Sequence, residues 1–193
     1  MSLAALLNAV RALHESTPAL QDFAPFPKGL RAANLPPMPC RAASLLAQNP
    51  LPGNRQTQPV TAALCAAAGQ AEWRQTYSEA EVGAAFLANY GYLELYGPSG
   101  HFHTNTARGY IGYWGPGLRY DWHLHEAEEL YACLSGAAEF QARGVPDKTI
   151  STGGTAEHAC NQPHAMTTTD QPFLAYVVWR GAGLAGLPQM EVA

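Results

Sequence analysis

Hydrophobic residues follow a helical spacing in the first half of the chain. Five of them near the start share one helical face: Leu3, Leu6, Leu7, Val10 and Leu13. This run lacks the basic segment and cleavage pattern of a signal peptide, so we expect a docked amphipathic helix. Further alanine- and leucine-rich segments, separated by proline-rich connectors that interrupt helices, lie near residues 41–48 and 59–74.

One more helix is indicated just before the pattern changes. Ser78 followed by Glu81 is a capping-box pattern, in which each side chain bonds the backbone of the other residue. We expect this helix to end at Gly91, because glycine is favoured just beyond a helix C-terminus. Residues 1–91 are therefore predicted to form a helical layer.

From Tyr92 onward, short runs of β-branched and aromatic residues alternate with glycine-containing turns. Seven runs are candidate strands: YLELY, RGYIGYW, ELYACLSG, AAEFQAR, KTIST, HAMTTT and FLAYVVW. No helix of the length that a parallel crossover needs separates them, so the sheet should be antiparallel. We predict a mainly β protein with a helical N-terminal part (α+β), in which residues 92–193 form one antiparallel β-barrel and the whole chain is one folding unit.

Composition narrows the function classes. Hydrophobic residues make up 47% of the chain and charged residues 13%, as in a well-buried globular protein. The net charge of −4 and the lack of a basic run argue against a nucleic-acid partner. No apolar stretch approaches the roughly 20 residues of a membrane span. The four cysteines form no CxxC pair, which favours reduced thiols and a cytoplasmic location.

The most informative stretch runs from Gly117 to Gly136. Its spacing, G-x5-H-x-H-x3-E-x6-G, places His123, His125 and Glu129 between the two glycines and matches the first cupin motif at every fixed position. Alternate residues of a strand share a face, so the two histidines should point the same way, and Glu129 should return on the next strand. Imidazole and carboxylate ligands suit Zn, Fe, Mn, Ni or Co, and the lack of thiolate argues against a closed structural zinc site.

A further histidine should complete the metal site. His158 and His164 are the candidates, although the usual PxG before this histidine is missing and the usual downstream asparagine is replaced. We favour His164, which follows Glu129 by 35 residues and opens a predicted strand. His158 is then expected to be a surface residue or one that supports the ligands from outside.

Two tyrosines are candidates for acid–base chemistry. Tyr131 follows Glu129 by two residues and should share its face, and Tyr120 should lie at the mouth of the barrel. A tyrosinate near pH 7 needs stabilisation of about 4 kcal/mol, which a neighbouring dication can supply. Five other aromatic residues could wall a site for an apolar or cationic group: Tyr110, Tyr113, Trp114, Trp122 and Trp179.

The run YDWHLHEAEELYACLSG, with its Tyr-x-x-His-x-His-x3-Glu-x-Tyr pattern, resembles the cupin-type dimethylsulfoniopropionate (DMSP) lyases of the DddQ type. The resemblance implies a single jelly-roll cupin barrel behind a helical segment. It also implies a carbon–sulfur lyase that cleaves DMSP, a small sulfonium carboxylate, to dimethyl sulfide and acrylate by β-elimination.

The resemblance also implies roles for individual residues. His123, His125, Glu129 and His164 would hold one divalent metal ion, Zn²⁺ or Fe²⁺ first, with Mn²⁺, Co²⁺ or Ni²⁺ as alternatives. Tyr131, with Tyr120 as the other candidate, would be the base that removes the α-proton. Substrate would contact three residues: Tyr120, His123 and Trp179.

The residues alone leave other functions open. The same ligands serve Fe(II) oxygenases and metal-dependent isomerases, and a cupin can bind a small molecule without catalysis. No helix-turn-helix pattern accompanies the motif, which argues against a DNA-binding sensor. The sequence is compatible with a monomer or a homodimer.

Overall fold

Within residues 2–191, the part of the chain that the computed structural model describes, five α-helices and thirteen strands form a mainly β protein. The helices are α1 (Leu3–Ser16), α2 (Pro18–Phe23), α3 (Arg41–Gln48), α4 (Gln58–Ala67) and α5 (Glu79–Ala88). The strands are β1 (Arg31–Ala32), β2 (Trp73–Arg74), β3 (Tyr90–Gly97), β4 (Phe102–His103), β5 (Arg108–Trp114), β6 (Arg119–Leu124), β7 (Glu128–Ser135), β8 (Ala137–Ala142), β9 (Lys148–Ser151), β10 (Thr155–His158), β11 (His164–Thr168), β12 (Phe173–Arg180) and β13 (Gln189–Met190).

The strands form two separate ladders. The larger sheet has the order β1-β4-β3-β5-β12-β7-β10, with β2 added on β3, and the smaller sheet has the order β13-β6-β11-β8-β9. The pairs are antiparallel as predicted, except for the parallel pair of β3 and β4. The ladders of the described residues do not close into a barrel, and the two sheets instead form a cupin-type β-sandwich. The predicted fold class, mainly β with helices before a cupin fold, is confirmed.

Helices α1 to α4 lie on the outer side of the larger sheet, whereas Phe86 of α5 is buried in the cluster of the inner face. α1 buries the apolar face that its spacing indicated and packs against α4. Leu6 and Val10 of this face are fully buried in one hydrophobic cluster with Leu93 and Ile111 of the sheet. The N-terminal layer is thus held by burial of an amphipathic face, as helices of globular proteins usually are. The longest helix of the described residues, α1 with 14 residues, falls short of the length that a membrane span needs.

The capping box of α5 forms as predicted, with the Ser78 backbone N–H donating to Glu81 Oε2 at 2.7 Å. The predicted helix end at Gly91 is wrong, because α5 ends at Ala88 and Gly91 lies inside β3. A Cβ atom on Gly91 would lie 2.8 Å from Sγ of Cys40, so close packing of the helical layer on the strand accounts for this glycine.

Residues 1–91 are not helical throughout. β1 and β2 come from this half and pair with β4 and β3, so the N-terminal layer contributes two short strands to the larger sheet. Two-residue strands are too short to show the alternation from which strands are predicted. The division of the chain at residue 91 stays a prediction.

Candidate metal centre and aromatic cleft

The residues of the cupin motif meet between the two sheets. His123 lies on β6 of the smaller sheet opposite His164 of β11, and His125 follows the end of β6. Glu129 lies on β7 of the larger sheet. All four side chains are buried, so the sandwich brings three imidazoles and a carboxylate into its interior.

Three of these residues form a compact set of donor atoms. Nε2 of His125 lies 3.1 Å from Oε2 of Glu129, and Nε2 of His164 lies 3.2 Å from the same oxygen. The three donor atoms all lie within 4.8 Å of one another. This is the spacing expected of side chains that can share one cation.

The backbone fixes the tautomer of both histidines. Nδ1 of His125 lies 2.8 Å from the carbonyl oxygen of Ala127, and Nδ1 of His164 lies 2.8 Å from that of Gln162. Because a carbonyl only accepts, each Nδ1 carries the hydrogen and the lone pair of the neutral ring is on Nε2. Both lone pairs therefore face Glu129, as metal-ligating histidines require.

The donor set fits a divalent metal ion. The buried Nε2 of His164 has no hydrogen-bond partner among the described residues, although a carboxylate oxygen lies beside it. A lone pair facing a carboxylate is stabilised only if a cation or a proton lies between them. Two imidazole nitrogens and one carboxylate oxygen suit several divalent ions.

Protons and a metal ion compete for these atoms. Burial disfavours the charged form of His125. The charge of Glu129, and the hydrogen bond that a protonated Nε2 donates to this carboxylate, outweigh burial and raise the pKa of the imidazole. Burial would raise the pKa of Glu129, but the charges of His125 and His164 and the hydrogen bond from His125 hold it well below its usual range. The carboxylate is thus kept ionised, as a ligand must be.

Glu129 is oriented from its other side by two aromatic residues. The Tyr110 hydroxyl donates to Oε1 at 2.8 Å, and Nε1–H of Trp179 donates to the same oxygen at 2.7 Å. With Oε1 occupied in this way, Oε2 is the oxygen that faces the histidines. These contacts have the role of the outer hydrogen bonds that orient ligating carboxylates in metalloproteins.

A cross-strand row explains why these residues meet. Arg108 on β5 pairs with Trp179 on β12, Trp179 pairs with Glu129 on β7, and Glu129 pairs with His158 on β10. Side chains at paired positions lie on one face of a sheet, so the four form one row on the inner face. The sequence did not indicate Arg108 as part of the site, because row neighbours come from four distant segments.

His158 is not a surface residue, and that part of the expectation is wrong. Its side chain is 2% exposed, and its ring stacks on the ring of His164 with a centroid distance of 4.0 Å and an interplanar angle of 9°. Both ring nitrogens lack a partner among residues 2–191, and burial lowers the pKa of His158 to about 3. His158 contacts His164 from outside the donor set, and its supporting role stays a prediction. The short strand β10 that carries it was not predicted.

His123 lies beside the donor set. Its Nδ1 lies 2.8 Å from the carbonyl oxygen of Asp121, and its ring is 4.1 Å from that of His164 and stacks on Tyr120 at 3.8 Å. Burial, with the charge of His164, lowers its pKa well below the usual value. The compact group of three donors does not include His123. Its role as a ligand stays a prediction.

A β-bulge places Tyr120 and His123 on the same face. His164 and Met166, two residues apart on β11, pair with His123 and Tyr120, three residues apart on β6. The extra residue shifts the alternation, so two side chains three positions apart both point inward. The same shift explains why Trp122, expected in the aromatic wall, instead lies against the Arg143 guanidinium at 4.4 Å.

The two candidate bases have different surroundings. Burial, together with the charge of Glu129, raises the pKa of Tyr131 well above its usual value, and its ring packs against Trp114 and His158. The hydroxyl of Tyr120 lies 2.7 Å from that of Tyr77, and burial raises the pKa of Tyr120 as well. Tyr77 was not singled out, since nothing in the sequence distinguishes it among nine tyrosines.

Beside the donor set lies a narrow cleft whose wall is mainly aromatic. Nine residues line it: Thr76, Tyr90, Tyr92, Arg108, Tyr110, Trp114, Tyr120, Trp179 and Pro188. Tyr110, Trp114 and Trp179 were expected here. Tyr113 was expected too, but it belongs to the cluster on the outer face of the sheet, because it alternates with Gly112 and Trp114 along β5.

Comparisons with known proteins agree with one another. The family model described as dimethylsulfoniopropionate lyase matches residues 37–175. The chain is 35% identical over 176 residues to dimethylsulfoniopropionate lyase DddQ of Ruegeria pomeroyi, and the match covers 91% of this chain and 88% of that protein.

Two solved structures are similar over nearly their whole length. One, described as a crystal structure of the DMSP lyases RdDddP and RnDddQII, is 47% identical with a TM-score of 0.95, covering 98% of this chain and 97% of the other. The crystal structure of DMSP lyase DddQ from Ruegeria pomeroyi is 34% identical with a TM-score of 0.92, covering 97% and 95%. The chain therefore belongs to the dimethylsulfoniopropionate lyase family.

Proposed function

We propose that the protein is a metal-dependent DMSP lyase that cleaves dimethylsulfoniopropionate to dimethyl sulfide and acrylate. The observation that carries this proposal is the set of three converging donors beside an aromatic cleft, in a chain that belongs to the DMSP lyase family. An N₂O donor set accepts several ions, and Zn²⁺ or Fe²⁺ is the cofactor that we propose. A cytoplasmic location agrees with the four free cysteines.

The reaction is a β-elimination. A base removes the proton from the carbon next to the carboxylate, the electron pair forms the carbon–carbon double bond, and the bond to sulfur breaks. Dimethyl sulfide leaves as a neutral molecule, so the sulfonium needs little help. The difficult step is loss of the proton, because a carboxylate acidifies its α-carbon poorly. A divalent ion held by His125, Glu129 and His164 would supply Lewis-acid stabilisation of the negative charge that develops on the carboxylate.

Tyr131 is the base in this proposal. It follows Glu129 on β7, and the charge of Glu129 acts on its phenol. Burial and that negative charge favour the protonated phenol, and a dication bound to Glu129 would act in the opposite sense and favour the tyrosinate. The proton taken from the substrate would rest on the Tyr131 oxygen before it passes to solvent.

Tyr120 and His123 are assigned to the substrate. Tyr120 lines the cleft, its hydroxyl is held by that of Tyr77, and its ring stacks on the imidazole of His123. These contacts suit residues that hold the substrate in one orientation while the proton is removed. Tyr120 is also the alternative base if Tyr131 does not serve.

Gas-phase detection of dimethyl sulfide tests the proposal directly. Purified protein loaded with Zn²⁺ or Fe²⁺ should release dimethyl sulfide and acrylate in equal amounts from DMSP, both in air and under argon. An oxygenase would consume O₂ and stop under argon, and a binding protein would release nothing. Either of these results would exclude the lyase.

A further inference from the structure

Among the described residues, Arg108 is the one charged side chain in the wall of the aromatic cleft. It is 5% exposed and lies in the cross-strand row beside Trp179, whose other neighbour in the row is Glu129. We propose that Arg108 binds the carboxylate of the substrate and so decides which way the zwitterion enters the cleft. This inference rests on the proposed function and adds to it a residue that determines orientation and specificity.

The guanidinium is held rigidly and keeps donors free. Its Nε and Nη2 lie 3.1 Å from Oε2 of Glu94, and Nη1 donates to the Gly186 carbonyl at 3.0 Å. A guanidinium carries five N–H groups, so these contacts leave two N–H groups without a partner among residues 2–191. A fixed fork with free N–H groups is the geometry that recognises carboxylates.

The negative charge of Glu94 is divided between two arginines, so it only partly compensates the charge of Arg108. Oε2 of Glu94 also accepts from Nη1 of Arg74 at 3.1 Å, and Arg74 in turn pairs with Glu72 at 2.8 Å. The network of two arginines and two glutamates has no net charge, but Arg108 alone among the four lines the cleft. A ligand there meets a cation whose counterion lies outside the wall.

The aromatic rings divide into two groups. The Arg108 guanidinium carbon lies 4.9 Å from the ring centre of Trp179 and 5.7 Å from that of Tyr110. A sulfonium over these rings would be repelled by the guanidinium. Tyr90, Trp114 and Tyr120 also line the cleft, and among the described residues no guanidinium stacks on the rings of these three. The sulfonium end should therefore lie against these three rings and the carboxylate end towards Arg108.

Binding of half-substrates separates the two ends. Propionate carries the carboxylate without the sulfonium, and trimethylsulfonium carries the cation without the carboxylate. Calorimetric titration of metal-saturated protein with each should show that Arg108→Met weakens propionate binding about 10- to 100-fold, the effect of losing a charge-assisted hydrogen bond. Trimethylsulfonium should bind Arg108→Met as tightly as wild type, or more tightly because repulsion is removed.

Arg74→Met is the matched control. It removes the other arginine bound to Glu94 but leaves the cleft wall intact, so propionate affinity should stay within about twofold of wild type. Arg108→Lys keeps the charge and loses the planar fork, so its affinity should fall between those of Arg74→Met and Arg108→Met. If Arg108→Met does not fold, the weaker propionate binding of Arg108→Lys relative to Arg74→Met still tests the proposal.

Three results would overturn the proposal. The first is wild-type propionate affinity in Arg108→Met, and the second is an equal loss of propionate affinity in Arg74→Met and Arg108→Lys. The third is loss of bound metal in Arg108→Met, which would mean that Arg108 only supports Trp179 and Glu129. The proposed function fails separately. If wild type releases no dimethyl sulfide but Arg108 still controls propionate binding, the carboxylate site stands without the lyase.

Discussion

The two faces of the larger sheet are made by the same strands and differ in how they treat polar groups. On the outer face Leu174, Tyr176 and Val178 of β12 join the helices in one hydrophobic cluster. The polar groups of His14 and Tyr176 buried there are paired. Nε2–H of His14 donates to the Ala24 carbonyl at 2.8 Å, and Nδ1 accepts from the Tyr176 hydroxyl at 2.9 Å.

The inner face leaves polar atoms unpaired. Among residues 2–191, the buried side-chain nitrogens and oxygens without a hydrogen-bond partner belong to Trp114, His158 and His164, and all three side chains lie between the sheets. Unpaired buried polar atoms cost about 1–3 kcal/mol each, so a fold keeps them where a ligand is to be bound. The outer face therefore stabilises the fold, and the inner face keeps polar atoms available for a ligand.

Removing two ligands should have the largest effect. The double variant His125→Ala, Glu129→Ala retains one donor of the compact group, and one imidazole does not hold a divalent ion against solvent. Elemental analysis should find no stoichiometric metal, and release of dimethyl sulfide should fall to background. Unchanged metal content in a folded double variant would refute the metal centre.

Tyr131→Phe should keep the fold and lose turnover. Phenylalanine retains the ring that packs against Trp114, and a general base contributes about 10²–10⁴-fold to rate, so kcat should fall by that factor at saturating metal. Tyr120→Phe is the control. If that variant is inactive while Tyr131→Phe keeps wild-type kcat, the base is Tyr120.

Leu174→Ala tests the outer face, where a substitution should lower the stability of the fold and leave kcat unchanged. Leu174 is fully buried in the outer cluster, and truncation of a buried leucine costs about 2–5 kcal/mol in the free energy of unfolding. Denaturant unfolding should show that loss, while kcat measured well below the melting temperature should stay within about twofold. A kcat loss as large as that of Tyr131→Phe would erase the difference between the faces.

The smallest expected effect concerns pH. Burial lowers the pKa of His14 in the folded protein, so its neutral form stabilises the fold above the unfolded value of about 6.5, and that stability is lost as pH falls below it. His14→Gln should be less stable than wild type by about 1–2 kcal/mol at pH 8. The gap should narrow by pH 5, since only wild type has this imidazole to protonate. Urea unfolding at both pH values measures it, and a constant gap would show that His14 does not titrate in this way.

The sequence predicted the parts of this molecule that depend on local spacing. The amphipathic face of α1, the capping box of Ser78 and Glu81, and the proximity of His125 to Glu129 all follow from periods of a few residues. Parity along β7 likewise placed Tyr131 and Glu129 on one face.

Other parts depend on pairing between distant segments. The row from Arg108 to His158 joins four strands in a register that no local pattern fixes. The bulge in β6, which turns Trp122 away from the cleft, is visible only from the partner strand. Tyr77 reaches Tyr120 from the loop before α5, for which its own neighbours give no signal.

We propose that a divalent ion held between the sheets by His125, Glu129 and His164 makes this chain a lyase. The most direct measurement is release of dimethyl sulfide under argon by protein first stripped with a chelator and then titrated with Zn²⁺ or Fe²⁺. Stripped protein should release no dimethyl sulfide, and release should rise with added metal and saturate at one ion per chain. The His125→Ala, Glu129→Ala variant should show no such rise. Full release from stripped protein, or an equal rise in the variant, would contradict the proposal.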